Sequence, residues 1–211
     1  MADLHKLHDA ILNGNAKEAV EVTKEALAGD ADPVEIISKY MIPAMDEAGR
    51  LFECEEYFVP ELLLAARAMK GSMQLLRPLL TAGGNEPAGR VVIGTVKGDL
   101  HDIGKNLVAS LLEGGGFEVI DLGADVPAAK FIETVNTRNA NIVCLSALLT
   151  VTMPSMKSTI QAFKDAGIRD KIKVLVGGAP LTQQFADEIG ADGYSENASG
   201  AVALARQMVH S

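Results

Sequence analysis

Apolar residues recur along this chain with two different periods. From Leu4 to Leu76 they return every three or four positions, the spacing that lines one face of an α-helix. Leu4, Leu7, Ile11 and Leu12 predict a first helix that ends near Gly14. A second runs from about Ala16 to Ala28 and stops at Gly29. Pro33 opens a third, which carries Ile36, Ile37, Tyr40, Met41 and Met45. Pro43 lies inside that stretch and predicts a kink or a break, since proline has no N–H to give and its ring crowds the preceding turn. Pro60 falls in the first turn of a fourth helix, where proline is tolerated; Leu62, Leu63, Ala66, Met69, Met73 and Leu76 follow on it. Four amphipathic helices with short connections predict a helical bundle.

From Arg90 onward the pattern changes. Short, β-branched apolar runs predict strands at 91–95, 117–121, 141–146, 173–176 and, more weakly, 193–195. Helical patterns fall between and after them, at about 104–113, 127–138, 153–166, 181–189 and 198–209. Such alternation predicts a parallel sheet covered on both faces, and five strands fit the flavodoxin-like order 2-1-3-4-5. The intervening 81–89, TAGGNEPAG, has linker composition. The expected organisation is a four-helix bundle over 1–84 and a five-stranded, Rossmann-like α/β domain over 90–211.

Composition narrows the function classes. Of 211 residues, 48% are hydrophobic and 22% charged, ordinary for a globular protein that buries a core. The net charge of -9 argues against a nucleic-acid partner, which calls for a basic stripe. No apolar run approaches a membrane span and no charged-then-apolar leader opens the chain. The two cysteines, Cys54 and Cys144, have no CxxC neighbour, so a redox or zinc site is not indicated. Cys144 lies in an apolar run and reads as a small core residue. These features predict a reduced, cytoplasmic protein without a membrane segment. His5, His8 and His210 lie near the termini; His5 and His8, three apart on a helix, fit either a two-histidine surface site or plain solvated residues.

One stretch carries unusual chemistry. In VVIGTVKGDLHDIGKN, residues 91–106, a strand ends in a turn that sets His101 between Asp99 and Asp102 before a helix begins. Asp99 and His101 are two apart, so in an extended segment their side chains leave on the same side. An aspartate on one ring nitrogen fixes the tautomer and aims the other nitrogen outward, as a metal-ligating histidine needs. A turn rich in helix-capping aspartate with a surface histidine fits the same residues. Spacing excludes a Walker loop: five residues separate Gly98 from Gly104, and Asn106 follows Lys105. The dinucleotide fingerprint is absent too. The remaining odd residues fall after strands: Ser146 to Thr152 after the third, Gly177 and Gly178 after the fourth, Tyr194 to Ala198 after the fifth. All lie at the carboxyl edge of the expected sheet, where such folds bind ligands.

GDLHDIGKN resembles the DxHxxG motif of cobalamin-binding domains, the kind found in methionine synthase and in corrinoid methyl-carrier proteins. The resemblance covers the second domain and is strongest at 96–106. It implies that His101 displaces the cofactor's own lower base and ligates cobalt. It implies further that Gly98, Asp99, Leu100, Asp102, Ile103 and Gly104 surround the cofactor with it. The equivalents of Ser146 and Thr150 contact the nucleotide tail, with Leu148 between them and Gly177 and Gly178 allowing close approach. Thr152 stands where methionine synthase has a serine that completes a His-Asp-Ser relay; the hydroxyl is kept but the residue differs. Tyr194, Asn197 and Ala198 match a loop that touches the cofactor, and Asn197 fits a helix cap equally.

In the first domain, LFECEEYFVPEL over 51–62 resembles the helical cap over the upper face of cobalamin. This places Phe52, Val59 and Leu62 against the cobalt-bound methyl group, with plain core packing as the other reading. The resemblance therefore implies a corrinoid carrier that is methylated on Co(I) by a substrate-specific methyltransferase. A second methyltransferase, acting on coenzyme M or tetrahydrofolate, takes the methyl group on, and a reductive activase rescues oxidised cofactor. The length leaves no room for a catalytic barrel. The donor stays open among methylamines, methanol, methoxy-aromatics and betaines. Other readings are a cobalamin-dependent sensor, at odds with the acidic charge; the small subunit of a mutase, at odds with the Phe52–Val59 junction; and an interaction module, which leaves the motif unexplained.

Overall fold

The structure, a computed structural model, describes residues 3–82 and 87–209. His210 and the centre of the expected linker, 83–86, lie outside the described residues. The backbone divides into two compact units, one spanning Met1–Pro87 with Glu113–Gly116, the other Ala88–Leu112 with Phe117–Ser211.

The first unit is helical. Helices α1 (Leu4–Leu12) and α2 (Ala16–Ala28) each start on a side-chain cap. Asp3 accepts from the His5 amide at 3.1 Å. Asn15 Oδ1 accepts from the Glu18 amide at 3.3 Å while its side-chain Nδ2 donates to the Glu18 carboxylate at 2.8 Å, so the cap and the first turn hold each other. Between them Gly14 has φ +70, and a Cβ there would stand 2.5 Å from Leu64 Cβ, so only glycine fits.

The third helix does not break at Pro43. It runs as α3 (Pro33–Ile36), a π-helical turn (Ile37–Met41) and α4 (Ile42–Glu53). Pro43 cannot donate to the carbonyl four residues back, and its ring pushes on that carbonyl. The preceding turn opens instead, with the Ile42 amide donating to Ile37 O five residues back. Helix α5 (Val59–Ala82) also exceeds expectation, continuing past Leu76 and through Pro78. Leu7, Ile11, Ile36, Met41, Leu62, Met69 and Leu76 are fully buried and form the apolar interior of this unit.

The second unit alternates strand and helix: β1 (Arg90–Thr95), α6 (Ile103–Gly114), β2 (Glu118–Asp121), α7 (Ala128–Arg138), β3 (Ile142–Ser146), α8 (Met153–Asp165), β4 (Lys173–Gly177), α9 (Gln183–Ile189), β5 (Gly193–Tyr194) and α10 (Ala198–Val209). All strand pairs are parallel and the order is β2-β1-β3-β4-β5, as the flavodoxin-like reading predicted. Side chains alternate across the sheet. Val92, Val143, Leu145, Val174 and Val176 meet Phe131 and Val135 of α7, Met156, Ile160 and Phe163 of α8, and Ala186 and Ile189 of α9. Phe131 and Phe163 stack edge-on with centroids 6.4 Å apart. Val91, Ile93, Cys144 and Leu175 lie on the alternate positions and are also buried, which is why the strands read as unbroken apolar runs. The order reverses around β1, so the loops leaving β1 and β3 flank the switch point of the sheet.

Candidate cofactor site

Asp99 is the hub of the site. It follows β1 on a turn that Gly98 makes possible with φ +88, and it is completely buried. Its Oδ1 accepts from the His101 amide at 3.0 Å and meets His101 Nδ1 at 2.8 Å. Its Oδ2 accepts from the Leu148 and Leu149 amides at 2.8 and 3.2 Å and from the Thr152 hydroxyl at 2.7 Å. Burial alone would raise this carboxyl. The bonds from Thr152, from the His101 and Leu148 amides and from the imidazole outweigh it and hold Asp99 well below the usual carboxylate range.

The imidazole follows from that hub. A carboxylate only accepts, so His101 Nδ1 donates to Asp99 and Nε2 is the ring nitrogen left for another partner. The ring is about half exposed, 49%. The Thr152 hydroxyl has one hydrogen and two acceptors in reach, Asp99 Oδ2 and the Leu149 carbonyl at 2.8 Å. His101, Asp99 and Thr152 thus form one connected set joining the β1 and β3 loops.

Around the ring lies an apolar rim. Leu100, Ile103 and Val151 are 75%, 83% and 79% exposed, and Leu148 and Leu149 are partly so. Large apolar side chains held in water beside a buried carboxylate call for a ligand that covers them. Gly104 adds a second sign. Its φ is not in the left-handed region, and a Cβ there would meet nothing within 4 Å. The fold does not require glycine at this position, and a Cβ would stand in open space.

Other expected residues have local jobs. A Cβ on Gly178, at φ +140, would stand 1.8 Å from Ala147 O, so the packing of the β3 and β4 ends itself requires glycine here. Tyr194 donates its hydroxyl to Leu181 O at 2.9 Å. Asn197 caps α10, accepting from the Gly200 amide at 2.7 Å, and Ala198 is buried in the first turn; the capping reading of Asn197 is the one the structure shows. Ser146 is partly buried, and its carbonyl accepts from the Val96 amide. Gly177 and Thr150 lie at the same edge, with Thr150 exposed, and Asp102 starts α6 by accepting from the Asn106 amide at 2.7 Å.

In the helical unit, Val59 is 39% exposed and Phe52 partly so, but Leu62 is fully buried on the core line of α5. Leu62 therefore props the junction from within and presents no surface to a ligand, contrary to the expectation. His5 and His8 do not converge: His5 stacks edge-on against Tyr40 and His8 pairs with Asp9 at 3.2 Å. Cys54 is exposed and Cys144 buried, its thiol pushed up to about 12 by burial.

Several contributors were not foreseen. Thr95 donates its hydroxyl to the His101 carbonyl at 2.8 Å. Asp125 brackets the turn, accepting from the Gly98 amide at 2.7 Å and donating its own amide to Asp99 O at 2.9 Å. The nearly buried Lys105 ammonium pairs with Asp121 and with Asn106 Oδ1. Val151 and Leu149 complete the apolar rim.

Among the described residues, no group of three or more His, Cys, Asp or Glu is placed to hold a metal ion. One protein imidazole beside exposed apolar side chains would suit a metal already held by a cofactor. Models of the B12 binding domain match residues 89–203 and 3–77. The chain belongs to the B12-binding corrinoid proteins. It is 45% identical to dimethylamine corrinoid protein 1 of Methanosarcina acetivorans over 92% of this chain and 91% of that one. Among solved structures it resembles a cobalamin-binding protein from Desulfitobacterium hafniense DCB-2, with TM-score 0.81, 35% identity and 99% of each chain covered. It also resembles a chain of the methanol:cobalamin methyltransferase complex MtaBC from Methanosarcina barkeri, with TM-score 0.86, 29% identity, and 98% of this chain and 79% of that one covered. The cofactor of this corrinoid protein is cobalamin or a related corrinoid, and its setting is a methyltransferase system. No helix among the described residues is long and apolar enough to cross a membrane.

Proposed function

We propose that this corrinoid protein carries a methyl group from a methylamine-specific methyltransferase to a second methyltransferase, with His101 as the lower ligand of cobalt. The observation that carries the reading is the Asp99–His101 pair at 2.8 Å, which engages Nδ1 and leaves Nε2 for another partner on a half-exposed ring beside exposed apolar side chains. The similarity to a dimethylamine corrinoid protein supports the donor class. Cobalamin, when bound, supplies a cobalt centre that takes up a methyl group and gives it on.

The chain's own residues set the position and charge of the ligand. Asp99 orients the ring through Nδ1–H. Thr152 and the Leu148 and Leu149 amides keep Asp99 ionised. Leu100, Ile103, Leu148 and Val151 exclude water from the face they cover, Gly98 and Gly104 let the backbone come close, and Asp102 begins the helix beside them. Ser146 and Thr150 would contact the nucleotide tail, Gly177 would allow close approach, Tyr194, Asn197 and Ala198 would belong to a loop touching the cofactor, and Phe52 and Val59 would form the upper cap. The acceptor enzyme works on coenzyme M or tetrahydrofolate, a reductive activase restores oxidised cofactor, and the system is cytoplasmic.

The test is reconstitution with hydroxocobalamin, reduction, and incubation with a dimethylamine methyltransferase and its substrate. The expected result is the absorbance of a methylated corrinoid with dimethylamine and much less with methanol. Demethylation should then require one acceptor enzyme with coenzyme M or tetrahydrofolate. Failure with every methylamine enzyme, alongside methylation by a methanol or methoxy-aromatic system, would overturn the donor assignment.

A further inference from the structure

Thr95 is the last residue of β1 and is completely buried. Its backbone is tied on both sides: the amide donates to Gly123 O at 2.9 Å, and its carbonyl accepts from the Val126 amide at 3.0 Å. It also lies in register with Ser146 of β3. The loop that supplies Gly123 and Val126 is itself fixed, since Asp121 accepts from the Gly123 amide at 2.8 Å and pairs with the buried Lys105. Thr95 is therefore an immobile point next to a turn.

Neither the sheet nor the core needs its hydroxyl. Its apolar neighbours in sequence, Val91 to Ile93 and Val96, are also buried, and valine would fill the same space. A buried hydroxyl without a partner costs about 1–3 kcal/mol, and this one donates to the His101 carbonyl at 2.8 Å.

That carbonyl matters because, among the described residues, the hydrogen bonds of His101 run through its own backbone and one carboxylate oxygen. Asp99 Oδ1 serves both the His101 amide and Nδ1, so both contacts depend on where the turn places the His101 backbone. Asp99 fixes the amide side of His101, and Thr95 fixes the carbonyl side.

We propose that Thr95 is a positioning residue for the His101 imidazole: its buried hydroxyl locks the peptide after His101, so that the ring stays on Asp99 with Nε2 outward whether or not a ligand is bound. This rests on the reading of His101 as the lower ligand only for its consequence at cobalt. The locking itself is a property of the protein alone.

The experiment compares wild type, Thr95→Val and Thr95→Ser, each with 15N-histidine. In the apoprotein at about pH 8, where an ordinary histidine is neutral, long-range 1H–15N spectra report which ring nitrogen of His101 is protonated. Wild type and Thr95→Ser should show Nδ1–H almost alone. Thr95→Val should show a mixture containing Nε2–H, with thermal stability close to wild type. In the Co(II)cobalamin form, the protein-derived nitrogen splitting should weaken in Thr95→Val by roughly fivefold in the ligation equilibrium, the equivalent of one net hydrogen bond of about 1 kcal/mol. Thr95→Ser should stay within about twofold of wild type on the same reasoning.

A Thr95→Val apoprotein with the wild-type tautomer would overturn the proposal. So would Thr95→Ser behaving as badly as Thr95→Val, because packing of the methyl group would then be the cause. If Thr95→Val does not fold, the comparison of Thr95→Ser with Thr95→Ala decides by the same spectra. Absence of protein nitrogen splitting in the wild type would instead refute His101 as cobalt ligand and leave the tautomer result to judge Thr95.

Discussion

Replacing Asp99 by asparagine removes the charge at the hub while keeping its shape. The carboxylate serves five donors: two at Oδ1 from His101, and three at Oδ2 from Leu148, Leu149 and Thr152. An amide has one oxygen. Turned to the three donors, it leaves its NH2 facing the His101 amide, donor against donor. The ring can adapt only by moving its hydrogen to Nε2, so that Nδ1 accepts.

Two costs follow. One backbone N–H loses its partner, worth about 1–3 kcal/mol, and three bonds fall from charge-assisted to neutral strength, roughly 1 kcal/mol each. Against this, the amide avoids the desolvation of a buried carboxylate, a few kcal/mol. The net loss is about 2–4 kcal/mol, or a fall in Tm of roughly 5–15 °C for a chain of this size. The outward nitrogen then carries hydrogen, and cobalamin affinity should fall by about 10–100-fold, as for other partners of metal-bound histidines. Thermal melts of the apoprotein, cobalamin titration and 1H–15N spectra of the ring check each part. An Asp99→Asn protein that melts within about 1 °C of wild type with Nδ1 still protonated would refute the reasoning.

Two glycines at the sheet edge should behave oppositely. Gly178→Ala drives a Cβ to 1.8 Å from Ala147 O at φ +140 and should cost upwards of about 4 kcal/mol, read by urea unfolding; a mild effect would contradict the packing assigned to it. Gly104→Ala meets nothing within 4 Å, so stability should change by less than about 1 kcal/mol while cobalamin binding weakens; unchanged binding would remove Gly104 from the site. Ser72 is fully buried on α5, with no hydrogen-bond partner for its hydroxyl among the described residues. Ser72→Ala should leave stability unchanged or raise it by up to about 1–2 kcal/mol in chemical denaturation, and a clear loss would reveal a hidden partner. Burial would raise the Glu118 carboxyl, but hydrogen bonds from Arg138 and Arg90 at 2.7 and 3.0 Å outweigh it and hold it below the ordinary glutamate range. Its stabilising contribution is therefore present above the unfolded value of about 4.3 and is lost as pH falls through the lower folded value. Stability of Glu118→Gln should accordingly fall less steeply than wild type below about pH 4, and parallel acid limbs would contradict the pairing.

How far the sequence revealed this molecule depended on whether an interaction is local. The strands were legible because both faces of the sheet are buried, which leaves continuous apolar runs. The perturbation at Pro43 was legible, but not its form: a missing N–H permits either a break or a widened turn, and packing of Ile37 and Met41 into the interior keeps the helix going as a π turn. The same tolerance carries α5 through Pro78. The Asp99–His101 pair was readable because its members are two residues apart. The other partners of Asp99 come from 49 to 53 positions away, and no local pattern marks them. Asp125, 27 positions from Gly98, was invisible for the same reason, and Thr95, six from His101, because nothing in a sequence marks which buried hydroxyl at a strand end meets a turn carbonyl. Gly104 and Gly178 look alike in a sequence; only the space around each Cα separates a ligand's need from the fold's. Leu62 shows the limit of positional matching, since its place in a motif said nothing of its burial.

The most direct test of the account is the paramagnetic spectrum of the Co(II)cobalamin form prepared with 14N- and with 15N-histidine. If His101 Nε2 binds cobalt, the superhyperfine pattern changes from triplets to doublets on labelling, and the change disappears in His101→Ala. A triplet pattern that ignores the label would mean that the cofactor keeps its own base, and that the Asp99–His101 pair serves something other than cobalt.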